Sequence, residues 1–238
     1  MHLNVYISKS GYCSRRKAQL LIKESRVTVD GIAINKPFFE VPNNSKVCID
    51  GKPISVKSAV YLIFNKPKGV TTTCSDKFAD KKIIDFFPEA HTGIFPVGRL
   101  DKDTSGLIIL TNDGDLCYRI THPKFQIEKE YKIILDKILA KKDMQKAISG
   151  VRDAADILKV KKITTIKEGP LQSSYLTVVN EGKKRHLRRL FNSLGYYVID
   201  LKRVRIGGLI LGDLKSSEHR FLDKEKIYHL LFANPKLK

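Results

Sequence analysis

The sequence predicts an α+β protein with two domains, and three observations support this class. Strand and helix patterns mix without the regular β-α-β rhythm of a parallel sheet, which favours a largely antiparallel one. Two Asp-Gly pairs, Asp30-Gly31 and Asp50-Gly51, each follow short apolar runs, as in β-hairpins. A polar segment, 52–58, then divides the chain. We therefore expect a small αβ domain over 1–56 and a larger domain over 57–238, whose mostly antiparallel, mixed sheet is flanked by helices.

Two helices are predicted at the start of the smaller domain. Apolar residues at helical spacing precede Gly11, which ends the first helix, and Ser14 is placed to cap the second. The second helix carries three cations, Arg15, Arg16 and Lys17, in its first turn, where they oppose the helix dipole. We infer that these cations serve something other than helix stability.

The larger domain is predicted to contain five strands and two helices. Short apolar or alternating runs indicate the strands, and apolar residues at helical spacing indicate the helices. Gly195 is placed to end one helix and Asp223 to cap the other. The predicted strands cover 59–64, 94–97, 107–110, 127–135 and 174–180, and the predicted helices cover 184–194 and 224–232.

The chain is strongly basic. Lys and Arg number 44 against 25 Asp and Glu, which gives a formal net charge of +19 and an isoelectric point of 9.7. This imbalance favours a polyanionic partner, above all a nucleic acid. The longest apolar run, 59–64, is too short to span a bilayer, and the first residues lack the apolar stretch of a signal peptide. With four cysteines at no metal-ligand spacing, the sequence predicts a soluble, cytoplasmic protein with reduced thiols.

The segment Gly98–Gly106 (GRLDKDTSG) is the strongest candidate for chemistry. It places the Asp101 carboxylate beside the Arg99 guanidinium in a polar turn. The apolar run 107–110, a predicted strand, follows at once and would anchor that turn on a buried, rigid element. A purely structural turn, or a simple ion pair between Asp101 and Arg99, is the alternative.

The same turn also resembles the start of a calcium-binding loop. Asp101, Asp103 and Ser105 have the spacing of the first ligands, but Asn112 stands where such a loop needs a bidentate Glu. A strongly basic protein is also a poor setting for a calcium ion. We therefore predict no metal site here.

Two clusters of positive charge are predicted in different domains. Arg15–Lys17 is the first, and Glu181–Arg189 holds five Lys or Arg residues and one Glu. Phosphates would relieve the repulsion within such clusters and release counterions. RNA suits better than duplex DNA, because no DNA-reading motif is evident and Tyr131 could stack on a single base. A solvated helix face is the alternative for each cluster taken alone.

The chain resembles the RsuA-type ribosomal RNA pseudouridine synthases over nearly its whole length, and the motifs occur in the family's order. Residues 1–48 resemble the RNA-binding domain of the ribosomal-protein S-four type, which precedes the catalytic domain in that family. The resemblance implies the pseudouridine synthase fold for the larger domain. The motifs of that domain are Asn65–Gly69, Gly98–Asp101 with Thr104–Leu107 and Thr111–Gly114, Lys129–Tyr131, and Glu181–Arg189 with 201–207.

This resemblance implies that the protein isomerises a uridine of ribosomal RNA to pseudouridine with no cofactor and no metal. It assigns catalysis to Asp101, Tyr131 and Lys183, which are the reactive carboxylate, the ring that stacks on the base and the cation that pairs with the carboxylate. It assigns Leu201 to the wall of the substrate pocket, and Arg99, beside Asp101, is expected in the same pocket. Contacts with RNA are expected from Ser14, Arg15, Arg16, Lys17, Lys66, Arg185, Arg188 and Arg189.

These roles suit the chemistry of the reaction. The bond from the ribose to N1 of uracil breaks, the base turns, and a bond to C5 forms. An aspartate is ionised at neutral pH and can add to the sugar or to the base, or can assist departure of the base. Ordinary glycoside hydrolysis uses two carboxylates, so a single reactive carboxylate argues against that reaction. The uridine must also leave its stack, at a cost of roughly a few kcal/mol that backbone contacts could offset.

The sequence leaves the target RNA open. The segments 121–124 and 128–131 favour the large ribosomal subunit over the small one. A non-catalytic RNA-binding factor for ribosome assembly is the rival, since it would need only the smaller domain and the positive surface. The expected partner is ribosomal RNA or a subunit-assembly intermediate, with no membrane, and the protein is expected to be a monomer. His186, where relatives often have Gln, is expected at the surface or in helix packing.

Overall fold

The structure is a computed structural model that describes residues 1–88 and 93–232. The smaller domain begins with two helices, α1 (Leu3–Lys9) and α2 (Arg15–Lys23). Ser14 caps α2 as predicted, because its hydroxyl accepts a hydrogen bond from the Lys17 nitrogen at 3.3 Å. The apolar faces of both helices are buried against the sheet that follows.

A four-stranded antiparallel sheet completes the smaller domain. Its strands are β1 (Val27–Val29), β2 (Ile32–Ala33), β3 (Val47–Ile49) and β4 (Lys52–Ile54), in the order β2-β1-β3-β4. Both predicted Asp-Gly turns are confirmed, because their residues have the positive φ angles (49–85°) that two-residue hairpin turns of this type require. The predicted linker is wrong at its start: residues 52–54 pair with β3, which leaves 55–60 between the two sheets.

The larger domain is built on one nine-stranded sheet, and a separate hairpin is formed by β9 (Val151–Asp153) and β10 (Asp156–Leu158). The strands of the sheet are β5 (Tyr61–Lys66), β6 (Phe95–Pro96), β7 (Ser105–Thr111), β8 (Lys129–Leu135), β11 (Lys162–Lys167), β12 (Ser173–Val179), β13 (Val198–Ile206), β14 (Leu209–Ile210) and β15 (His219–Leu222). Its main order is β11-β12-β8-β13-β7-β5-β15. Among the described strands, β13 and β7 form the one parallel pair, so the predicted mixed, mostly antiparallel sheet is confirmed.

Four helices flank this sheet: α3 (Gly114–Thr121), α4 (Lys141–Ser149), α5 (His186–Ser193) and α6 (Lys224–Phe232). Short 3₁₀ turns lie at Ile83–Phe86 and Pro123–Phe125. The helices α3 and α6 pack on one face of β5 and β7, against every second residue of each strand. The alternate residues point to the opposite face and pack in a second apolar layer. The helices α4 and α5 pack on β8, β12 and β13. The strands β5 and β7 are therefore covered on both faces.

The predicted helices differ from the observed ones only at their ends. α5 begins two residues later than predicted, because Arg185 has a left-handed backbone (φ 51°, ψ 32°) that cannot continue a right-handed helix. α6 matches its prediction, and the Asp223 carboxylate accepts a hydrogen bond from the Lys226 nitrogen at 2.7 Å. Within the described part of the chain, no helix has the length and apolar character needed to cross a membrane.

Candidate active site

The active-site loop, 97–104 between β6 and β7, carries Asp101 and is tied to its surroundings by contacts to its backbone. The Thr72 hydroxyl donates to the Leu100 carbonyl at 2.7 Å, and the Gly69 nitrogen donates to the Lys102 carbonyl at 2.7 Å. Leu100 itself is buried in the apolar layer beneath. Since β7 follows directly and runs through the core, the Asp101 carboxylate stands on a rigid platform, as predicted.

A cavity of about 460 Å³ opens beside Asp101. Its volume falls within the range of roughly 300–1,000 Å³ that is typical of small-molecule sites. The wall brings together the active-site loop, β8, β13 and the segment before α5. All five residues predicted for catalysis and for the substrate pocket line this one space: Arg99, Asp101, Tyr131, Lys183 and Leu201.

Tyr131 and Leu201 form an apolar wall of the cavity. They lie on the neighbouring strands β8 and β13, where the register pairs Tyr131 with Arg203 and Leu201 with Ile133. The two side chains therefore lie on the same face of the sheet. Leu201 is buried, and the half-buried Tyr131 ring packs against two apolar clusters. A ring held in this way can serve as a platform for a base.

Lys183 lines the cavity but is not paired with Asp101. Its ammonium lies 3.2 Å from an Asp156 carboxylate oxygen, donates to the Ile157 carbonyl at 2.9 Å and lies 3.9 Å from Glu181. The pairing implied by the family resemblance is therefore absent from this conformation, because the β9–β10 hairpin presents its own carboxylate. Hydrogen bonds from Arg189 and Lys183 hold the pKa of Asp156 below its ordinary value.

The predicted contact between Lys66 and RNA is wrong. The side chain lies inside the sheet with 0% exposure, so it cannot reach a phosphate. Its ammonium donates to the carbonyls of Pro67 and Val70 at 2.9 and 2.8 Å. Burial lowers the pKa of Lys66 from 10.5 to about 8, although the Asp103 and Asp101 carboxylates oppose this shift. Lys66 is a buried cation near the active-site loop.

The lowered pKa of Lys66 predicts a gain of stability at alkaline pH. Between pH 8 and 10 the unfolded chain binds more protons than the folded one, so the free energy of unfolding rises with pH. Lys66→Met removes this group, and we expect the rise from pH 7.5 to 9.5 to be about 2 kcal/mol smaller than in the wild type. Urea unfolding at several pH values measures the difference. Lys132→Met, at an exposed lysine of β8, is the matched control.

Equal pH slopes for the wild type and Lys66→Met would contradict this prediction. Lys129 contributes a similar rise in both proteins, because burial also lowers its pKa to about 8. The comparison therefore depends on the difference between the two slopes and is independent of any uniform loss of stability in the variant.

Arg188 and Asp103 fasten the active-site loop to α5. The Asp103 carboxylate lies 3.1 Å from the Arg188 Nε and 3.4 Å from the Arg185 guanidinium. Arg188 also donates to the backbone carbonyls of Asp103 and Val198 at 3.1 and 3.0 Å. With a side chain that is only 12% exposed, Arg188 is largely enclosed by the protein, and its charge is paired with Asp103.

Arg189 is also engaged by internal acids. Its guanidinium contacts the carboxylates of Asp153 and Asp156 on the β9–β10 hairpin at 2.5 and 2.8 Å. Arg185, which precedes α5, is the most exposed of the three arginines of the 181–189 cluster, at 47% of its side chain. The hairpin and Asp103 thus neutralise much of the charge that the sequence places in this cluster.

The first basic cluster lies on the surface. Ser14, Arg15, Arg16 and Lys17 are all exposed, although the Ser14 hydroxyl is already used as the cap of α2. The Arg15 guanidinium packs against Gly114 at the start of α3, where an added Cβ would lie only 2.5 Å from it. Arg15 therefore takes part in the contact between the two domains.

Two buried polar atoms beside the cavity were not predicted. The Thr104 hydroxyl and the His186 Nδ1 have no hydrogen-bond partner among the described residues. The His186 Nε2 lies 3.0 Å from the Lys159 carbonyl, and burial lowers the pKa of the ring, so the neutral ring donates from Nε2 and leaves Nδ1 as an acceptor. The helical spacing of His186 with Leu190 was the signal that it faces inward.

The calcium-loop alternative finds no support in the geometry. Ser105 begins β7, and the Asn112 amide is used to join the backbone at Ser58 and Val60. Within residues 1–88 and 93–232, no three His, Cys, Asp or Glu side chains lie close enough together to hold a metal ion.

The family follows from the extent of the match. Residues 60–193 match the model of the family described as RNA pseudouridylate synthase. The chain belongs to this family. Residues 1–47 match the S4 domain, which confirms the RNA-binding domain that the sequence predicts. The protein is therefore an RNA pseudouridine synthase, an enzyme that isomerises uridine in RNA.

Curated relatives of this synthase share its full length or most of it. The ribosomal large subunit pseudouridine synthase B of Bacillus subtilis (strain 168) is 33% identical, over 96% of this chain and 94% of its own. An uncharacterized RNA pseudouridine synthase of Aquifex aeolicus (strain VF5) is 35% identical, over 97% and 96%. The dual-specificity RNA pseudouridine synthase RluF of Escherichia coli (strain K12) is 34% identical, over 97% of this chain and 78% of its own.

A solved structure shows the same fold. The crystal structure of a pseudouridylate synthase superposes with a TM-score of 0.66 at 25% identity, and the match covers 97% of this chain and 99% of the other. Both domains of the synthase are included in that match. The predicted pseudouridine synthase fold is therefore confirmed.

Proposed function

We propose that this synthase isomerises one uridine of large-subunit ribosomal RNA, with Asp101 as its reactive group. The observation that carries the proposal is the single cavity that gathers Asp101 with Arg99, Tyr131, Leu201 and Lys183. A carboxylate on a rigid loop, at the edge of a basic surface, suits chemistry on one nucleotide of a polyanion.

The reaction breaks the C1′–N1 bond and forms a C1′–C5 bond. Its net proton movement is from C5 to N1, so substrate and product are isomers and the atoms balance without a co-substrate. In the proposal, the Asp101 carboxylate adds to the sugar or to the uracil, or assists departure of the base, and is regenerated when the new bond forms. The loosened uracil must stay in the cavity while it turns.

The other residues hold the target nucleotide. Tyr131 stacks on the uracil and Leu201 provides an apolar surface along which the ring can turn. Arg99 is exposed at the rim, where the RNA strand enters the pocket. Lys183 pairs with Asp101 in the RNA complex, which requires it to exchange its contact with Asp156.

The two domains share the task of binding RNA. The division at 1–56 and 57–238 is proposed as the functional one. Arg15, Arg16 and Lys17 lie exposed next to Ser14 on one domain, and Arg185 is the most exposed of the three arginines on the other, where Arg188 and Arg189 reach RNA only by exchanging their carboxylate partners. We propose a cytoplasmic monomer that acts on ribosomal RNA or on a subunit-assembly intermediate. The flipped uridine loses its stacking, and phosphate contacts by these cations offset that cost.

The choice of the large subunit has two supports. One is the Bacillus subtilis relative, which is named for the large ribosomal subunit. The other is the pair of segments 121–124 and 128–131. The Escherichia coli relative is named as dual-specificity. The experiment must therefore examine every stable RNA of the cell.

The test is to map pseudouridines in all stable RNAs of a strain that lacks the protein. We expect one large-subunit pseudouridine to disappear and to return only when the wild type is supplied; Asp101→Asn should not restore it. Loss of a small-subunit or non-ribosomal site would overturn the choice of substrate. If no pseudouridine is lost, the proposed function fails. Rescue of growth by Asp101→Asn without the modification would show a separate role in ribosome assembly.

A further inference from the structure

A second, smaller cavity lies next to the candidate active site. Its volume is about 220 Å³, and it is lined by residues of α5, by Asp103 of the active-site loop and by Tyr197 before β13. Arg185 and its guanidinium neighbours Arg188 and Arg189 belong to this lining. Arg185 also lines the first cavity, so this one residue borders both spaces.

The lining of the second cavity holds three arginines and one carboxylate, Asp103. Arg189 is balanced by Asp153 and Asp156, which lie outside the lining. Arg188 and Arg185 share the single Asp103 carboxylate, at 3.1 Å and 3.4 Å. Of the three arginines, Arg185 holds the longer contact with Asp103 and has a side chain that is 47% exposed, so it is the one best placed to accept another anion.

The backbone of Arg185 sets the position of its side chain. Its φ of 51° and ψ of 32° lie in the left-handed region, which is unfavourable for a residue with a side chain. This conformation turns the chain immediately before α5, and the residue borders both cavities.

Tyr197 supplies an aromatic surface on a fixed backbone. Tyr197 is part of the cavity lining, and the residue is 68% exposed. Its nitrogen donates to the Asp136 carboxylate at 2.9 Å, and its carbonyl accepts from the Asp136 nitrogen at 3.1 Å. An exposed aromatic ring beside an available guanidinium is the arrangement that binds a base and its phosphate.

We propose that the second cavity is the subsite for the nucleotide next to the target uridine. Arg185 binds the phosphodiester that joins the two nucleotides, and Tyr197 stacks on the neighbouring base. The inference rests on the proposed function, since it needs the target uridine to occupy the first cavity. It adds a contact that holds the strand while the uracil is detached and turned.

The experiment uses fluorescently labelled RNA hairpins that contain the uridine whose modification is lost in the deletion strain. One hairpin is intact, and two others carry an abasic site at the 5′ or the 3′ neighbour of that uridine. For the wild type and for Tyr197→Phe, we expect one of the two abasic hairpins to bind between about fivefold and a hundredfold more weakly than the intact hairpin. For Tyr197→Ala, the intact and the abasic hairpins should bind equally. Thermal unfolding confirms that each variant is folded.

Arg185→Gln tests the phosphate contact. We expect the slope of log affinity against log salt concentration to become shallower by about one. Lys162→Gln, at an exposed cation of the edge strand β11, is the matched control and should leave the slope unchanged.

Two results would overturn the inference: an abasic penalty that persists in Tyr197→Ala, or no penalty at either neighbour in the wild type. An unchanged salt slope in Arg185→Gln would show that Arg185 makes no contact with a phosphate. These outcomes are distinct from failure of the proposed function, in which the wild type modifies no uridine at all and both proposals fall together.

Discussion

Replacing Asp101 with Asn is expected to lower the single-turnover rate of pseudouridine formation by at least about 10⁴-fold, as is typical when an enzyme loses its reactive group. The amide has nearly the same shape as the carboxylate but can neither add to a carbon atom nor stabilise a positive sugar. RNA binding should change by less than about threefold, because the loop is held by contacts that do not involve this side chain. Those contacts come from Thr72, Gly69 and Arg188.

Release of tritium from RNA labelled at C5 of uridine measures this rate, since C5 loses its hydrogen when it joins the ribose. Asp80→Asn is the matched control. Asp80 pairs with Lys102, next to Asp101, but its side chain is 86% exposed and is not part of the cavity lining. It should keep a rate within about twofold of the wild type, as surface ion pairs contribute little. A rate for Asp101→Asn within tenfold of the wild type would place the reactive group elsewhere.

Elements with local signals could be predicted from the sequence. The two Asp-Gly hairpins and the caps at Ser14 and Asp223 depend on interactions between residues two to four positions apart, so a short stretch of sequence contains all the necessary information. The predicted helix ends at α5 and the linker start at 52 were wrong. Each depends on a backbone angle or a strand pairing that the neighbouring sequence does not specify.

The central strand β13 was not predicted as a strand at all. It carries Asp200, Lys202, Arg203 and Arg205 within nine residues, a composition that indicates an exposed segment. The sheet nevertheless buries Arg203, which is 4% exposed and donates to the Leu107 carbonyl of β7 at 2.7 Å. A buried arginine is accommodated only by partners from distant parts of the chain, so its own neighbourhood carries no signal for it.

The candidate site was predicted better than the elements around it. The five residues predicted for catalysis and for the substrate pocket line one cavity, although whether each performs its assigned role stays a prediction. Lys66 was misplaced because the sequence shows its charge and not its burial. Likewise, the predicted surface charge of α5 is reduced by Asp103, Asp153 and Asp156, whose distance in sequence hides the pairing.

Gly106→Ala is expected to destabilise the larger domain by about 3–5 kcal/mol, through backbone strain added to overpacking. Gly106 has a φ of 107° and pairs with Arg203 across the parallel strands β7 and β13. An added Cβ would lie 2.7 Å from the Arg203 nitrogen and closer still to its carbonyl oxygen, and neither backbone can yield without parting the strands. Denaturant unfolding measures the loss, which should also shift the loop that carries Asp101.

Gly212→Ala separates the two causes of this loss. Gly212 also has a positive φ, of 60°, but nothing lies within 4 Å of its added Cβ. It should therefore cost only the backbone strain, about 1–2 kcal/mol. The additional destabilisation in Gly106→Ala measures how closely β7 must approach β13. This contact joins β7, which follows the loop with Asp101, to β13, which carries Leu201. If the two variants were equally stable, the close approach would be dispensable, and the rigidity of the Asp101 platform would have to come from the loop contacts alone.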